Sequence, residues 1–158
     1  MDWSKFDDKQ LLGAYCSLMA ELKGRGVVRS ANNPIADYSE TLVSRALGLS
    51  LQPPSTAGYD ALGPDGVRYQ IKGRRLTVEN PSTQLSAIRN LARRPFDTLA
   101  AVVYAQDLSV LYGALIPIEV VAQLGRYSAH SNSHVFMFRR TILEDPRVTD
   151  ITGLLSAH

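Results

Sequence analysis

The chain has little of what several classes of protein require. Its single cysteine, Cys16, excludes a disulfide framework and any metal site built from several cysteines. Cys16 lies among apolar residues of a predicted helix, which favours a small buried side chain over a nucleophile. The first eight residues lack the basic start and apolar run of a signal peptide. The longest apolar run, residues 99–105, is seven residues and too short to span a bilayer. We therefore expect a cytoplasmic protein that has no contact with a membrane.

The bulk composition is that of an ordinary globular protein. The 158 residues are 45% hydrophobic and 20% charged, far from the values of disordered chains. Internal repeats, low-complexity tracts and linkers are not evident in the sequence. The length matches one hydrophobic core, so we expect a single domain over residues 1–158.

Positive charge is concentrated in one part of the chain. The net charge of the whole chain is +2, but residues 68–94 hold seven basic residues and one acid, a local charge of 7 − 1 = +6. The remaining residues hold ten basic residues and 14 acids, a charge of −4. A basic block of this kind is typical of a surface that binds phosphates, although a solvated face with a few ion pairs gives the same composition.

Three amphipathic helices are predicted from apolar spacing and capping residues. The first spans about 8–23, with Asp7 as its N-cap and Gly24 as its stop. The second begins at Asn33 and Pro34 and stops near residue 48, with Glu40 at the border of its apolar face. The third spans about 81–93. Its predicted buried residues are Leu85, Ile88 and Leu91, and its basic residues Arg89 and Arg93 are expected to project together from another face.

Alternating and apolar segments predict the strands. Residues 49–52 form a short strand, and residues 59–62 and 67–74 form a hairpin around the turn 63–66. Residues 99–106 and 109–116 form a second, apolar hairpin, followed by a short helix over 117–124. A further strand is predicted over 134–140, and Asp150 is placed to cap a last short helix. The mixture of helices and strands predicts an α/β fold.

Four polar residues converge in this arrangement. Gln70 and Lys72 share one face of a strand, Asp60 lies on the neighbouring strand, and the preceding helix brings Glu40 to the same end. Carboxylate and amide oxygens are ligands that Mg²⁺ accepts, and a nearby lysine can orient a water and neutralise developing charge. The alternative is structural, with a cross-strand ion pair between Asp60 and Lys72 and with Gln70 on the rim.

The order of these elements resembles the PD-(D/E)XK nuclease superfamily, and within it the Mrr-like restriction endonucleases. The resemblance covers residues 34–106 and rests on an acid in a helix (Glu40), an aspartate in a strand (Asp60) and the pattern Gln-x-Lys at residues 70–72. It implies a restriction-endonuclease-like core, a central mixed sheet flanked by helices. The helix over 8–23 and residues 107–158 are then additions to this core.

The same resemblance implies roles for the four residues. Asp60, Gln70 and Glu40 would bind Mg²⁺ or Mn²⁺, with Glu40 as the auxiliary acid, and Lys72 would be the catalytic lysine. Two departures stand out, since Tyr59 replaces the proline of the motif and Gln70 replaces an acid. A neutral ligand binds a cation more weakly, which leaves open whether the site is active.

Two nucleic-acid functions follow from this pattern as expectations, beside a third hypothesis, a structural or interaction protein whose polar residues in the hairpin form only salt bridges. The first is a metal-dependent nuclease that hydrolyses DNA phosphodiester bonds. Cleavage of both strands would suit a homodimer that associates through strand 109–116 or the C-terminal part. The second is a catalytically silent nucleic-acid-binding module of the same fold. In both cases the phosphate contacts would come from five arginines of the basic block, Arg74, Arg75, Arg89, Arg93 and Arg94.

Overall fold

A mixed β-sheet forms the centre of the molecule. The structure, a computed structural model, describes residues 1–30, 32–54, 56 and 58–158. Six strands form the sheet in the order β1-β2-β3-β4-β5-β8, in which only β3 and β4 run parallel. The separate pair β6-β7 is antiparallel. In chain order the strands are β1 (Ser50–Leu51), β2 (Ala61–Leu62), β3 (Arg68–Arg75), β4 (Thr98–Tyr104), β5 (Val110–Pro117), β6 (Arg126–Ser128), β7 (Ser133–Val135) and β8 (Thr149–Asp150).

Helices flank this sheet, which confirms the predicted α/β class. The helices are α1 (Asp8–Gly24), α2 (Pro34–Leu47), α3 (Ile118–Leu124) and α4 (Thr152–Ser156). Helix α2 begins as the sequence predicts, because the Asn33 side chain accepts a hydrogen bond from the backbone N–H of Ile35 and proline follows. It ends at Gly48, whose φ of 65° is the left-handed conformation that glycine adopts at low cost. Among the described residues, no helix has the length and apolar character needed to cross a membrane.

Strand β4 is buried on both of its faces. Its side chains alternate, so that Leu99, Ala101 and Val103 belong to one apolar cluster and Ala100, Val102 and Tyr104 to the other. The first cluster includes Phe96, Phe136 and Phe138, and the second includes residues of α2 and α4. The predicted apolar hairpin of β4 and β5 is confirmed, and the two-sided burial explains why these strands are almost entirely apolar.

The predicted helix over 81–93 is wrong. This segment crosses from β3 to the parallel strand β4 in an irregular, extended path, and only Leu91–Arg93 forms a short 3-10 helix. Backbone hydrogen bonds tie it to the C-terminal part, because Leu85 donates to Phe136 and Ile88 exchanges two bonds with His134. The expectation that Arg89 and Arg93 project together from one helix face therefore fails, although both side chains are exposed.

Burial of the predicted residues is nevertheless correct. Leu85, Ile88 and Leu91 are all buried in the first apolar cluster. Apolar residues at every third position can form the buried face of a helix. They can also be the buried residues of an extended segment that packs against the rest of the protein at regular intervals. Serine, threonine, asparagine and proline over 80–83 and at 90 weaken the helical alternative.

The first helix has the predicted bounds but not the predicted burial. Asp7 and Gln10 form a reciprocal capping box, with the Asp7 carboxylate accepting from the Gln10 backbone at 2.8 Å. Of the residues of α1, only Met19 is buried, and Leu12 and Leu18 are more than half exposed. Cys16 is also exposed, so its expected burial is wrong. The apolar spacing predicts a helix, but it does not identify which other part of the protein packs against its apolar face.

The C-terminal residues complete the sheet instead of merely extending the core. Strand β8 pairs with Ala114 and Leu115 of β5, so this part of the edge of β5 is covered within the chain. Of the strand expected over 134–140, only Ser133–Val135 is a strand. The Asp150 carboxylate accepts a hydrogen bond from the backbone N–H of Thr152 at 2.8 Å, as predicted for the start of the last helix.

Candidate functional site at the open edge of strand β3

The hairpin of β2 and β3 places Asp60 beside an unpaired strand edge. Of the residues of β3, only Arg68 and Tyr69 pair with β2. No described strand therefore covers the rest of β3 on this side. Asp60 directly precedes β2, and its backbone N–H donates to the carbonyl of Tyr69 at 2.8 Å. Its carboxylate accepts from the backbone N–H of Ile71 at 2.7 Å and from Nε2 of Gln70 at 2.5 Å. The carboxylate thus accepts the backbone hydrogen bond that a carbonyl of a longer neighbouring strand would accept.

Helix α2 brings Glu40 to the same region, where Arg29 contacts it. The Glu40 carboxylate is largely buried and forms an ion pair with the guanidinium of Arg29. Arg29 is itself held by two further contacts: its Nη1 donates to the carbonyl of Gln52 at 2.7 Å, and its backbone N–H donates to the Asp37 carboxylate at 2.9 Å. Arg29 precedes the region of family resemblance, so no sequence signal pointed to it.

The two carboxylates are unfavourable neighbours. Burial raises the pKa of Glu40, and the negative charge of Asp60 raises it further, against the opposing effect of Arg29. Burial also raises the pKa of Asp60, although the N–H of Ile71 and the charge of Lys72 stabilise its ionised form. Because both acids have raised pKa values, an additional positive charge placed beside them would stabilise their ionised forms.

Lys72 follows Gln70 by two residues on β3, on the same face of the strand, and is partly buried. Burial lowers the pKa of its ammonium, and the charge of Asp60 acts in the opposite direction. The cross-strand ion pair with Asp60, the structural alternative, does not form directly. The Lys72 Nζ instead donates to the hydroxyl of Ser86 at 2.8 Å. Ser86 belongs to the segment that the apolar spacing predicts as a helix, and no pattern in the sequence singles this serine out.

The raised pKa of Asp60 predicts how its removal changes stability. A carboxyl whose pKa is higher in the folded state costs stability when it is ionised, so this cost is present at neutral pH and disappears below its unfolded pKa. We expect Asp60→Asn to raise the free energy of unfolding at pH 7, and the gain to shrink as the pH falls towards 3.5. Urea unfolding at several pH values measures this.

A control of opposite sign is available for this experiment. Arg147 lowers the pKa of Asp145 to about 2 through hydrogen bonds to its side chain. Asp145→Asn should therefore lose stability at pH 7 and approach the wild type in acid. A pH-independent difference between Asp60→Asn and the wild type would contradict the assignment of a destabilising charge to Asp60.

The arginines of the basic block differ in their contacts and in their positions in the fold. The Arg74 guanidinium is oriented by the Ser82 carbonyl and the Asn80 side chain, each at 2.7 Å, and Arg75 donates to the carbonyl of Gln106 at 2.8 Å. Both arginines line a cavity of about 400 Å³ that Ser86 also borders. Arg94 is paired with Glu119 at 2.5 Å and lies at the end of the crossover. Arg74 and Arg75 are thus the members connected to Lys72, through Ser86.

A divalent cation would have a limited set of ligands in this site. Within the described part of the chain, no group of three or more His, Cys, Asp or Glu side chains could hold a metal ion. The oxygens on offer are the carboxylates of Asp60 and Glu40, the amide oxygen of Gln70 and backbone carbonyls of β3. Gln70 directs its amide nitrogen towards Asp60, so its amide oxygen faces the same cation as the Asp60 carboxylate only when the amide turns over.

The structure therefore brings Asp60 and Gln70 into direct contact, with Glu40 and Lys72 close enough for their charges to act on Asp60. Arg89, Arg93 and Arg94 lie in the crossover before β4. No family model matches the chain, and no curated protein shows significant similarity to it. The chemistry of the site has to follow from its own geometry.

Proposed function

We propose that this protein is a metal-dependent nuclease that hydrolyses DNA phosphodiester bonds and has a restriction-endonuclease-like core. The observation that supports this proposal is the gathering of two acids, an amide and a lysine at the open edge of β3, next to a cavity lined by two arginines. The helix expected between β3 and β4 is absent from this core. The resemblance to the superfamily then rests on α2, the β2-β3 hairpin and the parallel strand β4.

The donor set fits a hard divalent cation. Mg²⁺ and Mn²⁺ prefer oxygen ligands, and Mg²⁺ keeps several waters, so Asp60, Glu40 and Gln70 suffice with a backbone carbonyl. Burial raises the pKa of both acids, and the charge of Asp60 raises that of Glu40 further, so a cation bound beside them would stabilise their ionised forms. Bound there, the cation would supply charge neutralisation at the scissile phosphate and acidify a water.

The side chains have separable tasks in this proposal. Asp60 is fixed by two hydrogen bonds and holds its carboxylate at the strand edge. Lys72, held by Ser86, orients the attacking water and neutralises the charge that develops on the phosphate oxygens. Arg74 has donors left over after its two contacts and positions the neighbouring phosphate without reading the base sequence.

The deciding experiment uses supercoiled plasmid and the intact protein. We expect nicked or linear plasmid with Mg²⁺ or Mn²⁺ and none with a chelator. Binding that weakens steeply with salt, in the absence of any cutting by preparations of confirmed fold, would replace the nuclease with the silent nucleic-acid-binding module. Absence of both cutting and binding at about 50 mM salt would remove both proposals.

The silent module is favoured by one specific observation. Arg29 already supplies a positive charge to Glu40, and Gln70 is neutral where the superfamily has an acid. If Arg29 competes with a metal ion for Glu40, Arg29→Gln should bind Mn²⁺ more tightly than the wild type, by about tenfold for the loss of one close charge. Titration followed by electron paramagnetic resonance of free Mn²⁺ measures this.

Arg25→Gln is the matched control for this variant, because Arg25 is exposed and pairs with Glu21 on α1. Its Mn²⁺ affinity should equal that of the wild type. Weaker Mn²⁺ binding by Arg29→Gln would mean that Arg29 shapes the site and does not compete for it.

A further inference from the structure

A second cavity is lined by residues of α2, by Arg29 and by Leu51 of β1. Its volume is about 420 Å³, within the range of sites for small ligands. One wall is a face of α2, formed by Thr41, Ser44 and Arg45, whose spacing places them on adjacent turns. Arg29 forms part of the opposite wall, and two glycines and two leucines complete the lining: Gly26, Gly48, Leu49 and Leu51.

Two side chains of this cavity carry buried polar atoms without a partner. They are Nε of Arg29 and Oγ of Ser44, and they are the two atoms of this kind among the described residues. Ser44 is 6% exposed, so its hydroxyl does not obtain a partner from bulk water. Buried polar groups are almost always hydrogen-bonded. Two buried donors without a partner, on two residues that line the same cavity, therefore indicate a ligand.

The chemistry of the lining selects the class of ligand. The polar groups are two guanidinium groups and two hydroxyls, and no acidic residue lines the cavity. The carboxylate of Glu40, which precedes Thr41 in α2, is already paired with Arg29 through a different nitrogen, Nη2. Guanidinium and hydroxyl donors that converge without a carboxylate favour a tetrahedral oxyanion with several acceptor oxygens.

We propose that this cavity binds a phosphate group through Arg29 and Ser44, with Arg45 at its exposed rim. A rotation about χ1 of Ser44 turns its hydroxyl towards the ligand, and Arg29 uses the Nε–H that is unused in the protein. This site goes beyond the proposed function, because it needs neither a metal ion nor cleavage. Arg29 also connects it to Glu40, so the two sites share one side chain.

Two sources of the phosphate are distinguishable, namely free phosphate and the backbone of a nucleic acid. Isothermal titration with a chelator present measures binding of inorganic phosphate and, separately, of a short single-stranded oligonucleotide without terminal phosphates. The variants are Ser44→Ala and Arg45→Gln, and the control is Arg126→Gln, an exposed arginine of β6. We expect both variants to weaken binding of one of the two probes by about tenfold or more, and the control to leave it unchanged.

The pattern of losses identifies the source. Weakened binding of inorganic phosphate alone assigns the cavity to a free phosphate or a small phosphorylated ligand. Weakened binding of the oligonucleotide alone assigns it to the nucleic-acid backbone. Unchanged binding of both probes in Ser44→Ala, or absence of binding of both by the wild type, overturns the proposal, whatever the outcome of the plasmid assay.

Thermal unfolding without ligand provides a second and independent criterion. Since the Ser44 hydroxyl has no partner within the protein, its removal should leave the melting temperature unchanged or raise it. A clear fall in the melting temperature of Ser44→Ala would show that the hydroxyl serves the fold, and this would also overturn the proposal.

Discussion

Replacement of Lys72 by methionine is expected to reduce metal-dependent cleavage of DNA by about 10²–10³-fold, the usual loss when one donor that stabilises developing charge is removed. The ammonium is partly buried, and its pKa is lowered by that burial, so its charge is held there at a cost in stability. Methionine keeps an unbranched side chain that is one atom shorter, and it removes this cost. The folded state and the affinity for DNA should therefore persist while cleavage is lost.

Cleavage rates on plasmid and affinity by fluorescence anisotropy separate these effects. Lys9→Met, on the exposed first turn of α1, is the matched control and should cleave as the wild type does. If Lys72→Met cleaves at the wild-type rate, Lys72 has no part in the chemistry, and its contact with Ser86 is structural. If it loses DNA affinity and cleavage in equal measure, Lys72 binds a phosphate and does not assist the reaction.

Addition of a single methyl group at Gly73 is expected to destabilise the protein by about 1–3 kcal/mol, the usual cost of overpacking. A Cβ at this position would lie 1.9 Å from Oγ of Ser39, 3.0 Å from its Cβ and 3.1 Å from the ring of Tyr104. Ser39 is fully buried on α2, where its hydroxyl donates to the Ile35 carbonyl and hydrogen-bonds the hydroxyl of Tyr104. Rotation of the Ser39 hydroxyl would relieve only the shortest contact and would break its hydrogen bonds, so we expect α2 to move away from β3 as well.

Because Glu40 follows Ser39 on α2, the same displacement should carry Glu40 away from Asp60 and lower cleavage as well as stability. Chemical unfolding of Gly73→Ala measures the first effect, and the plasmid assay measures the second. The double variant Ser39→Ala, Gly73→Ala removes the shortest of the three contacts and should recover part of the stability.

Gly13→Ala is the appropriate control for the Gly73 variant. An added Cβ at Gly13 meets no atom within 4 Å, and the residue lies inside α1. Alanine should therefore stabilise the helix by about 0.5–1 kcal/mol. Wild-type stability of Gly73→Ala would show that α2 and β3 are not closely packed at this point.

Local signals in the sequence were sufficient for several elements. The capping residues Asp7 and Asn33 and the stop at Gly48 located two helices to within one or two residues. The turn over 63–66 located the hairpin that holds Asp60 next to Gln70. Such features depend on interactions within a few residues of chain, so the sequence contains all of the information that they need.

Other outcomes depended on segments that are distant in the chain. Leu85 and Ile88 are buried as predicted, but hydrogen bonds to Phe136 and His134 hold them in an extended segment. The exposure of α1 reflects the surfaces that the rest of the chain leaves available, which periodicity cannot reveal. Arg29 entered the candidate site only because the fold brings it to Glu40 across 11 residues.

The sequence by itself determined the secondary structure wherever caps, turns and alternation act locally, together with the α/β class and the set of polar residues around Asp60. The tertiary structure alone decided the path of residues 81–90, the partners of Glu40 and Lys72, and the cavity that contains Ser44. The physical reason is that burial and charge pairing depend on which segments, distant in the chain, come into contact. A hydrophobic pattern indicates that a side chain is buried, but it does not identify the residues that bury it.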